Sequence, residues 1–259
     1  MIENLFSMRG KVCLITGGSR GLGRSIAQGF LEAKAARVYI TARKADACEA
    51  AARELGQYGE CVALPGDIAT GDGLQDLVAT LKVRESHLDV LVNNAGTAWG
   101  AAFGEVPEKG WDKVMNLNAK SPFFLTQALT PLLTKNASAD QTAAVINIGS
   151  IAAIVGRGLD SFSYAASKAA IHQLTRVLAT ELADRHVRVN AIAPGRFYSK
   201  MTEYVSQDQE ALDRELATIP LHRWGEGPDI AGVAILLASA AGAFITGEII
   251  TVDGGTALT

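Results

Sequence analysis

One passage, from Lys11 to Ala35, restricts the fold of this chain more than any other. Lys11–Thr16 (KVCLIT) is a short apolar run, long enough for one strand, and it stops at glycine. The pattern glycines 17, 21 and 23 follow, and then Leu22, Ile26, Phe30, Leu31 and Ala33 recur at helical spacing. The same alternation continues to the end of the chain. Arg37–Thr41, Cys61–Leu64, Leu88–Val92, Ala144–Ile148, Val187–Ile192 and Glu248–Val252 read as strands. Ala45–Leu55, Leu74–Val83, Asp112–Leu133, Phe162–Leu182 and Ile230–Leu237 read as helices, with Pro122 and Pro131 set to bend or end the third. Several strands are unbroken apolar runs, as in a sheet buried on both faces. The pattern predicts an α/β fold, a doubly wound parallel sheet with right-handed crossovers. Arg196–Pro220 is more polar and follows a strand, where such folds bind ligands, so it reads as a substrate lid.

Composition narrows the function classes. With 48% apolar and 20% charged residues, the 259-residue chain is not dominated by disorder. A net charge of −3, without a basic run, argues against nucleic acid and anionic membrane as partners. Cys13, Cys48 and Cys61 form neither a CxxC nor a metal-like pair, which fits a reducing compartment. Met1–Gly10 shows no secretory pattern, and the cytoplasm is the expected location. Ile230–Gly247 is uncharged, but it is rich in Ala and Gly and broken by Ser239, Gly242 and Thr246. It reads as a buried helix followed by a turn, not a membrane span. His87, His172, His186 and His222 have no ligand spacing, so no metal is expected.

The glycine turn carries chemistry. Gly17, Gly18, Ser19, Arg20, Gly21, Leu22 and Gly23 join a first strand to a helix in a G-x-x-x-G-x-G pattern. Glycines permit close backbone approach, and a helix N-terminus favours a pyrophosphate. One glycine would mark only a turn; three after a first strand point to a dinucleotide. An acid ending the second strand would repel a 2′-phosphate. Here the strand runs into Ala42-Arg43-Lys44, with no acid before Asp46. Arg20 and Arg43, with forked guanidinium groups, favour NADP(H) over NAD(H).

Tyr164 and Lys168 open a helix four residues apart, about 40° from one another around its axis. A lysine cation beside a phenol lowers its pKa and suits it to acid–base work. Ser150 ends the fifth strand and can hydrogen-bond a substrate carbonyl, and Asn118 lies on the preceding long helix.

Together, Thr16–Gly23, Asp67, Asn93–Gly96, Asn118, Ser150, Tyr164–Lys168 and Pro194–Gly195 resemble the short-chain dehydrogenase/reductase family over essentially the whole chain. The resemblance implies a single Rossmann-fold domain, residues 1–259, with seven strands and a lid at about 196–220. It implies Tyr164 as the general acid and Ser150 as the residue that polarises the carbonyl oxygen. Lys168 would bind the nicotinamide ribose and lower the tyrosine pKa, and Asn118 would hold a relay water. Asp67 and Ile68 would touch adenine, and Asn94, Ala95 and Gly96 would line the adenosine ribose. Pro194, Gly195 and Phe197 would lie beside the nicotinamide. Residues 93–100 and 193–197 are most similar to the ketoacyl-reductase-like branch, including its rhamnolipid-associated members.

Two departures stand out. The Ser150–Tyr164 interval is one residue longer than usual, which bears on the substrate loop. Lys135–Ala144 replaces a basic stretch that would greet acyl carrier protein, and Arg185 alone makes no docking site. Trp99, Phe197, Met201 and Tyr204 are candidates to touch substrate, while Trp111 and Trp224 read as packing. The expected function is reduction of a small-molecule ketone, including a 3-oxoacyl thioester, by an NADP-dependent oxidoreductase. The expected assembly, by resemblance, is a dimer or tetramer. The rivals are an alcohol, sugar or steroid dehydrogenase on the same site, and a non-catalytic NADP(H) sensor or scaffold. A sensor has no need of Asn118, Ser150, Tyr164 and Lys168 in register.

Overall fold

The seven short apolar runs pair into one parallel sheet in the order β3-β2-β1-β4-β5-β6-β7. They are β1 (Val12–Thr16), β2 (Arg37–Thr41), β3 (Cys61–Ala63), β4 (Val90–Asn93), β5 (Ala143–Ile148), β6 (Val187–Pro194) and β7 (Ile249–Val252). The computed structural model describes residues 2–156, 161–198 and 208–258. Parallel neighbours need crossovers, and helices supply them. The helices are α1 (Ile2–Leu5), α2 (Gly21–Glu32), α3 (Ala45–Leu55), α4 (Gly71–Arg84), α5 (Glu108–Met115), α6 (Ser121–Leu133), α7 (Phe162–Leu182), α8 (Gln209–Leu216) and α9 (Gly227–Ala238).

Alternate strand residues feed two cores. Cys13, Ile15, Ile40, Val92 and Ile146 pack with Ile26 and Phe30 of α2, Leu55 of α3 and Ile230 of α9. Leu14, Tyr39, Leu91 and Val145 pack with Leu81 of α4, Leu125 of α6 and Leu182 of α7. Both faces are covered, which is why the strands read as continuous apolar runs. β1, β4, β5 and β6 are buried throughout, whereas the edge strands β3 and β7 are mostly half-buried. Strand order reverses between β1 and β4, so the ligand crevice opens beyond their carboxyl ends.

The long helix expected over Asp112–Leu133 is in fact two. α5 and α6 are joined by a π-helical turn, Asn116–Lys120. Pro122 has no N–H for the Asn118 carbonyl, and its ring crowds that oxygen. The wider turn relieves the clash: the Ser121 N–H reaches the Asn116 carbonyl. The Ser121 hydroxyl donates to the carbonyls of Asn116 (2.8 Å) and Ile68 (2.7 Å). Pro131, by contrast, sits inside α6 without ending it. β4 begins at Val90, not Leu88, because the preceding residues serve as anchors. The Asp89 carboxylate accepts the Val12 N–H at 2.8 Å, and the Leu88 N–H reaches Leu132.

The Ile230–Gly247 stretch is α9 followed by a short turn, Ala240–Gly242. No described helix is long and apolar enough to cross a membrane. α8 and the strand-like contact of Phe197 with Gly225 belong to the expected lid. Met201 and Tyr204 lie outside the described residues.

Candidate active site

The glycine turn is bolted to the end of β4. Thr16 Oγ1 accepts the N–H groups of Asn94 (3.0 Å) and Ala95 (2.9 Å). The Asn94 side-chain amide donates to the carbonyls of Thr16 (2.8 Å) and Gly17 (3.1 Å). A Cβ at Gly23 would stand 2.4 Å from Asn94 Nδ2 and 2.5 Å from the Gly17 oxygen. Gly17 also has φ +66°, which L side chains disfavour. These glycines are therefore required by the Asn94 clamp itself. The resemblance gives Asn94 a place along the adenosine ribose; the structure adds that its side chain holds the turn. Thr16 has no separate role in the sequence reading, although it directly precedes the glycines.

The turn fits a dinucleotide phosphate. α2 starts at Gly21 with no acid in its first turn, and Arg20 makes no side-chain cap. Uncapped N–H groups at a helix start favour an anion. Ser19 and Leu22 flank that opening. Arg20 and Arg43 are exposed, and neither enters an ion pair among the described residues. Their charge is thus free for a second phosphate. Asp67 is half-buried and accepts the Ala69 N–H at 3.1 Å, while Ile68 is buried beside it.

The acid–base residues gather across the crevice. Tyr164 and Lys168 share a face of α7, with the lysine ammonium 5.6 Å from the centre of the phenol ring. Ser150, just past the end of β5, faces the Tyr164 phenol and accepts the Ala152 N–H at 3.1 Å. Lys168 is 5% exposed and donates to the Ile148 carbonyl at 2.6 Å. A side chain at Gly96 would lie 3.4 Å from Asn118 Oδ1 and 3.8 Å from Lys168 Nζ, so three segments converge here. Asn118 lies in the π turn. Its amide accepts the Thr97 N–H (2.9 Å) and donates to the Thr97 carbonyl (2.9 Å) and to Ser167 (3.0 Å). The side chain is therefore engaged, and Pro122 offers no N–H to the Asn118 carbonyl.

The electrostatics add burial to the spacing argument. Burial pushes the Tyr164 phenol above its ordinary 10, while the Ser150 hydrogen bond and the Arg196 charge pull it back part of the way. Burial lowers Lys168 to about 8. Sequence spacing places Lys168 beside the phenol, and its ammonium lies 5.6 Å from the ring centre. Arg196 adds a second positive charge that favours phenolate. Nothing in the sequence marks that charge, because Arg196 reaches Tyr164 only through the fold.

Gly195 is packed against Asp253, where a Cβ would meet the aspartate Cβ at 2.6 Å, and its N–H reaches the Val252 carbonyl. Pro194 ends β6 directly before it. Phe197 is buried and lies over Gly225. It helps line a cavity of about 430 Å³ with Arg196, Leu221, Arg223 and Asp253. Arg196 Nε lies 2.6 Å from Glu215 of α8. Trp224 is fully buried and meets Tyr198 edge-on. Trp111 is 40% exposed, so the packing expected of it is not made within this chain. Trp99 covers Gly110, with Lys113 5.5 Å from its ring. No group of three or more metal-type side chains gathers among the described residues.

Residues 17–257 match the family model described as Enoyl-(Acyl carrier protein) reductase. The chain belongs to the short-chain dehydrogenase/reductase family. It is 51% identical to the Pseudomonas aeruginosa rhamnolipids biosynthesis 3-oxoacyl-[acyl-carrier-protein] reductase, over 96% of this chain and 97% of that one. It is 37% identical to 2-dehydro-3-deoxy-D-gluconate 5-dehydrogenase of Dickeya dadantii, over 98% of both chains. The solved Pseudomonas aeruginosa RhlG/NADP active-site complex superposes with a TM-score of 0.95 at 50% identity, covering 98% of this chain and 99% of that one. The short-chain reductase thus has its dinucleotide turn and its acid–base cluster on the same side of one sheet.

Proposed function

We propose that this short-chain reductase converts a ketone to a secondary alcohol with NADPH, and that Tyr164 is its general acid. The observation that carries this reading is the convergence of Ser150, Tyr164 and a buried Lys168, 5.6 Å from the phenol ring, across from the glycine turn. Gly17, Gly18, Ser19, Arg20, Gly21, Leu22 and Gly23 hold the pyrophosphate, Arg43 the 2′-phosphate, and Asp67 and Ile68 the adenine. Asn94, Ala95 and Gly96 line the ribose, and Pro194, Gly195 and Phe197 flank the nicotinamide. When bound, NADPH supplies the hydride. Ser150 orients the substrate oxygen toward Tyr164, whose raised pKa keeps it protonated and able to donate at neutral pH. Lys168 anchors the ribose and, with the Asn118 carbonyl and a water, replaces the tyrosine proton.

The chain folds as one domain, residues 1–259, with residues 196–220 as its lid. A dimer or tetramer is supported by apolar side chains left in solvent, Phe244 and Leu258 among them. Three free cysteines fit the cytoplasm.

The test is loss of NADPH absorbance with a panel of ketones that includes β-ketoacyl thioesters and keto-sugar acids. Turnover of a ketone with NADPH is the expected result; tight NADPH binding with no turnover across the panel overturns it in favour of a sensor. One observation favours a second reading. The Arg196 cation acts on Tyr164 and would suit a substrate carboxylate that takes the place of Glu215, as in a sugar-acid dehydrogenase. Preference for hydroxy sugar acids with NADP+ would establish that reading.

A further inference from the structure

His172 has no place in the roles above, yet α7 aims it at the same strand end. Tyr164, Lys168 and His172 follow one another at four-residue steps, each about 40° further around the helix. Each meets one of three consecutive residues at the end of β5. Tyr164 faces Ser150, and Lys168 donates to the Ile148 carbonyl at 2.6 Å. His172 faces Gly149: a Cβ built there would stand 2.1 Å from His172 Nε2 and 2.6 Å from its Cδ2.

Gly149 lies outside the left-handed region, so glycine is required there for space and not for backbone freedom. The imidazole occupies the volume that any side chain at 149 would need. From the other direction, the Gly149 N–H is held by the Ile192 carbonyl at 2.7 Å. The backbone that leads into Ser150 is therefore fixed on both sides.

His172 is 6% exposed, and its Nε2 has no hydrogen-bond partner among the described residues. A buried polar atom left unpaired is destabilising, a cost an apolar residue would avoid. The charged groups acting on it are Lys168 and Arg176 of its own helix, while Ile148, Gly149 and Ser150 opposite carry no titratable group. Burial and those two cations lower it to about 4, so the ring stays neutral at any working pH.

We propose that His172 is a positioning residue of the reducing site: its ring, seated in the side-chain space of Gly149, sets the Ser150 hydroxyl against Tyr164 and keeps water from Lys168. This rests on the roles given above to Ser150, Tyr164 and Lys168.

The experiment compares the full-length chain with its Gly149→Ala, His172→Ala, double and Tyr164→Phe variants, on a ketone that the parent reduces with NADPH. His172→Ala is expected to lower kcat about tenfold or more, because a small misplacement of a reacting group is enough. The NADPH KM at neutral pH should stay within about twofold. In the parent, that KM should rise above pH 8, where Lys168 loses its proton; in His172→Ala, water beside the lysine should move the rise to higher pH. Gly149→Ala should also impair turnover. The double variant should lose less than the product of the two single losses, because the alanine methyl enters the space the ring vacates.

A parental kcat and pH profile in His172→Ala overturns the proposal, as does a double variant whose loss is the product of the singles. Should His172→Ala fail to fold, the double variant decides: a folded, active chain supports the proposal and an unfolded one overturns it. Activity in Tyr164→Phe would overturn the site reading itself. An inactive Tyr164→Phe beside a parental His172→Ala overturns only the role of His172.

Discussion

At the β5–α7 seam, Lys168 and His172 are 5% and 6% exposed, and each meets the main chain of one strand end. At the β1–β2 end of the same crevice, Arg20 and Arg43 stand in solvent, free of ion pairs among the described residues. The seam works by desolvation. Burial alone moves Lys168 to about 8 and Tyr164 upward, so small geometric changes have large chemical consequences. The arginine end works by screened attraction, in which each charge contributes modestly and salt weakens it. The glycine turn lies between the two and is held sterically by Asn94. Reaction rate should thus be sensitive at one end and cofactor choice at the other.

The largest effect should come from Tyr164→Phe, which removes the proton donor and leaves the turn untouched. Turnover should fall about 10²–10⁴-fold, the usual worth of general acid catalysis, with NADPH affinity by fluorescence titration nearly unchanged. A parallel loss of affinity would mean that the two ends are not separable. Next comes Gly23→Ala, whose methyl would press on Asn94 and the Gly17 carbonyl. Overpacking of about 1–3 kcal/mol, if borne by the bound state, corresponds to a loss of NADPH affinity of about five- to 150-fold. Retained affinity would show that the clamp yields.

Arg43→Ala tests the exposed end. The NADPH-over-NADH preference in kcat/KM should fall about tenfold, or about 1.4 kcal/mol, with kcat for NADPH little changed. The parental preference should itself shrink as salt is added, because the charge is exposed. An unaltered preference would return Arg43 to ordinary surface charge.

What the sequence made legible follows from this contrast. The strands could be read because both faces of the sheet are buried. Tyr164 and Lys168 could be paired because helix geometry alone sets their separation. The glycine turn announced a phosphate because its residues are contiguous. The π turn was not legible: Pro122 is a local signal, but Ser121 settles it by bonding Ile68, far away in sequence. Arg196 was not legible as a charge acting on Tyr164, because only the fold brings the two within electrostatic range. His172 has no ligand spacing, and its meaning depends on Gly149 of another element. A glycine directly before Ser150 was the one available hint.

Lys168 provides a test of the buried end that needs no substrate. The unfolded chain binds a proton at this lysine up to about pH 10.5, its ordinary value, whereas the folded chain does so only up to about 8. Between those values the unfolded state holds more protons, so this group makes stability rise with pH. Below pH 8 its charge is carried in both states and the burial penalty is fully present. Lys168→Met should therefore stabilise the chain against urea at pH 7, and the advantage should shrink toward pH 10. An advantage independent of pH would mean that Lys168 is not desolvated as described.

The smallest effect should come from neither end. The Asp229 carboxylate accepts the Glu226 N–H at 2.8 Å and both guanidinium nitrogens of Arg223 (2.7 and 2.8 Å), closing the start of α9. The Arg223 hydrogen bond, more than the Glu226 N–H, lowers Asp229 from 3.8 to about 2. A depressed carboxylate contributes its stability above pH 3.8 and loses it as pH falls through 2. The pair is largely exposed and screened, so the cap accounts for most of the gain. Asp229→Asn should cost about 1 kcal/mol and lower Tm by about 2–4 °C at neutral pH, and the difference from the parent should shrink as pH falls from 3.8 through 2. Because Asp229 lies at the rim of the Phe197 cavity, away from the seam and from Arg20 and Arg43, kcat and the NADPH preference should both hold. A shift in either would mean that α9 transmits strain to the crevice, and the division of labour between the two ends would have to include it.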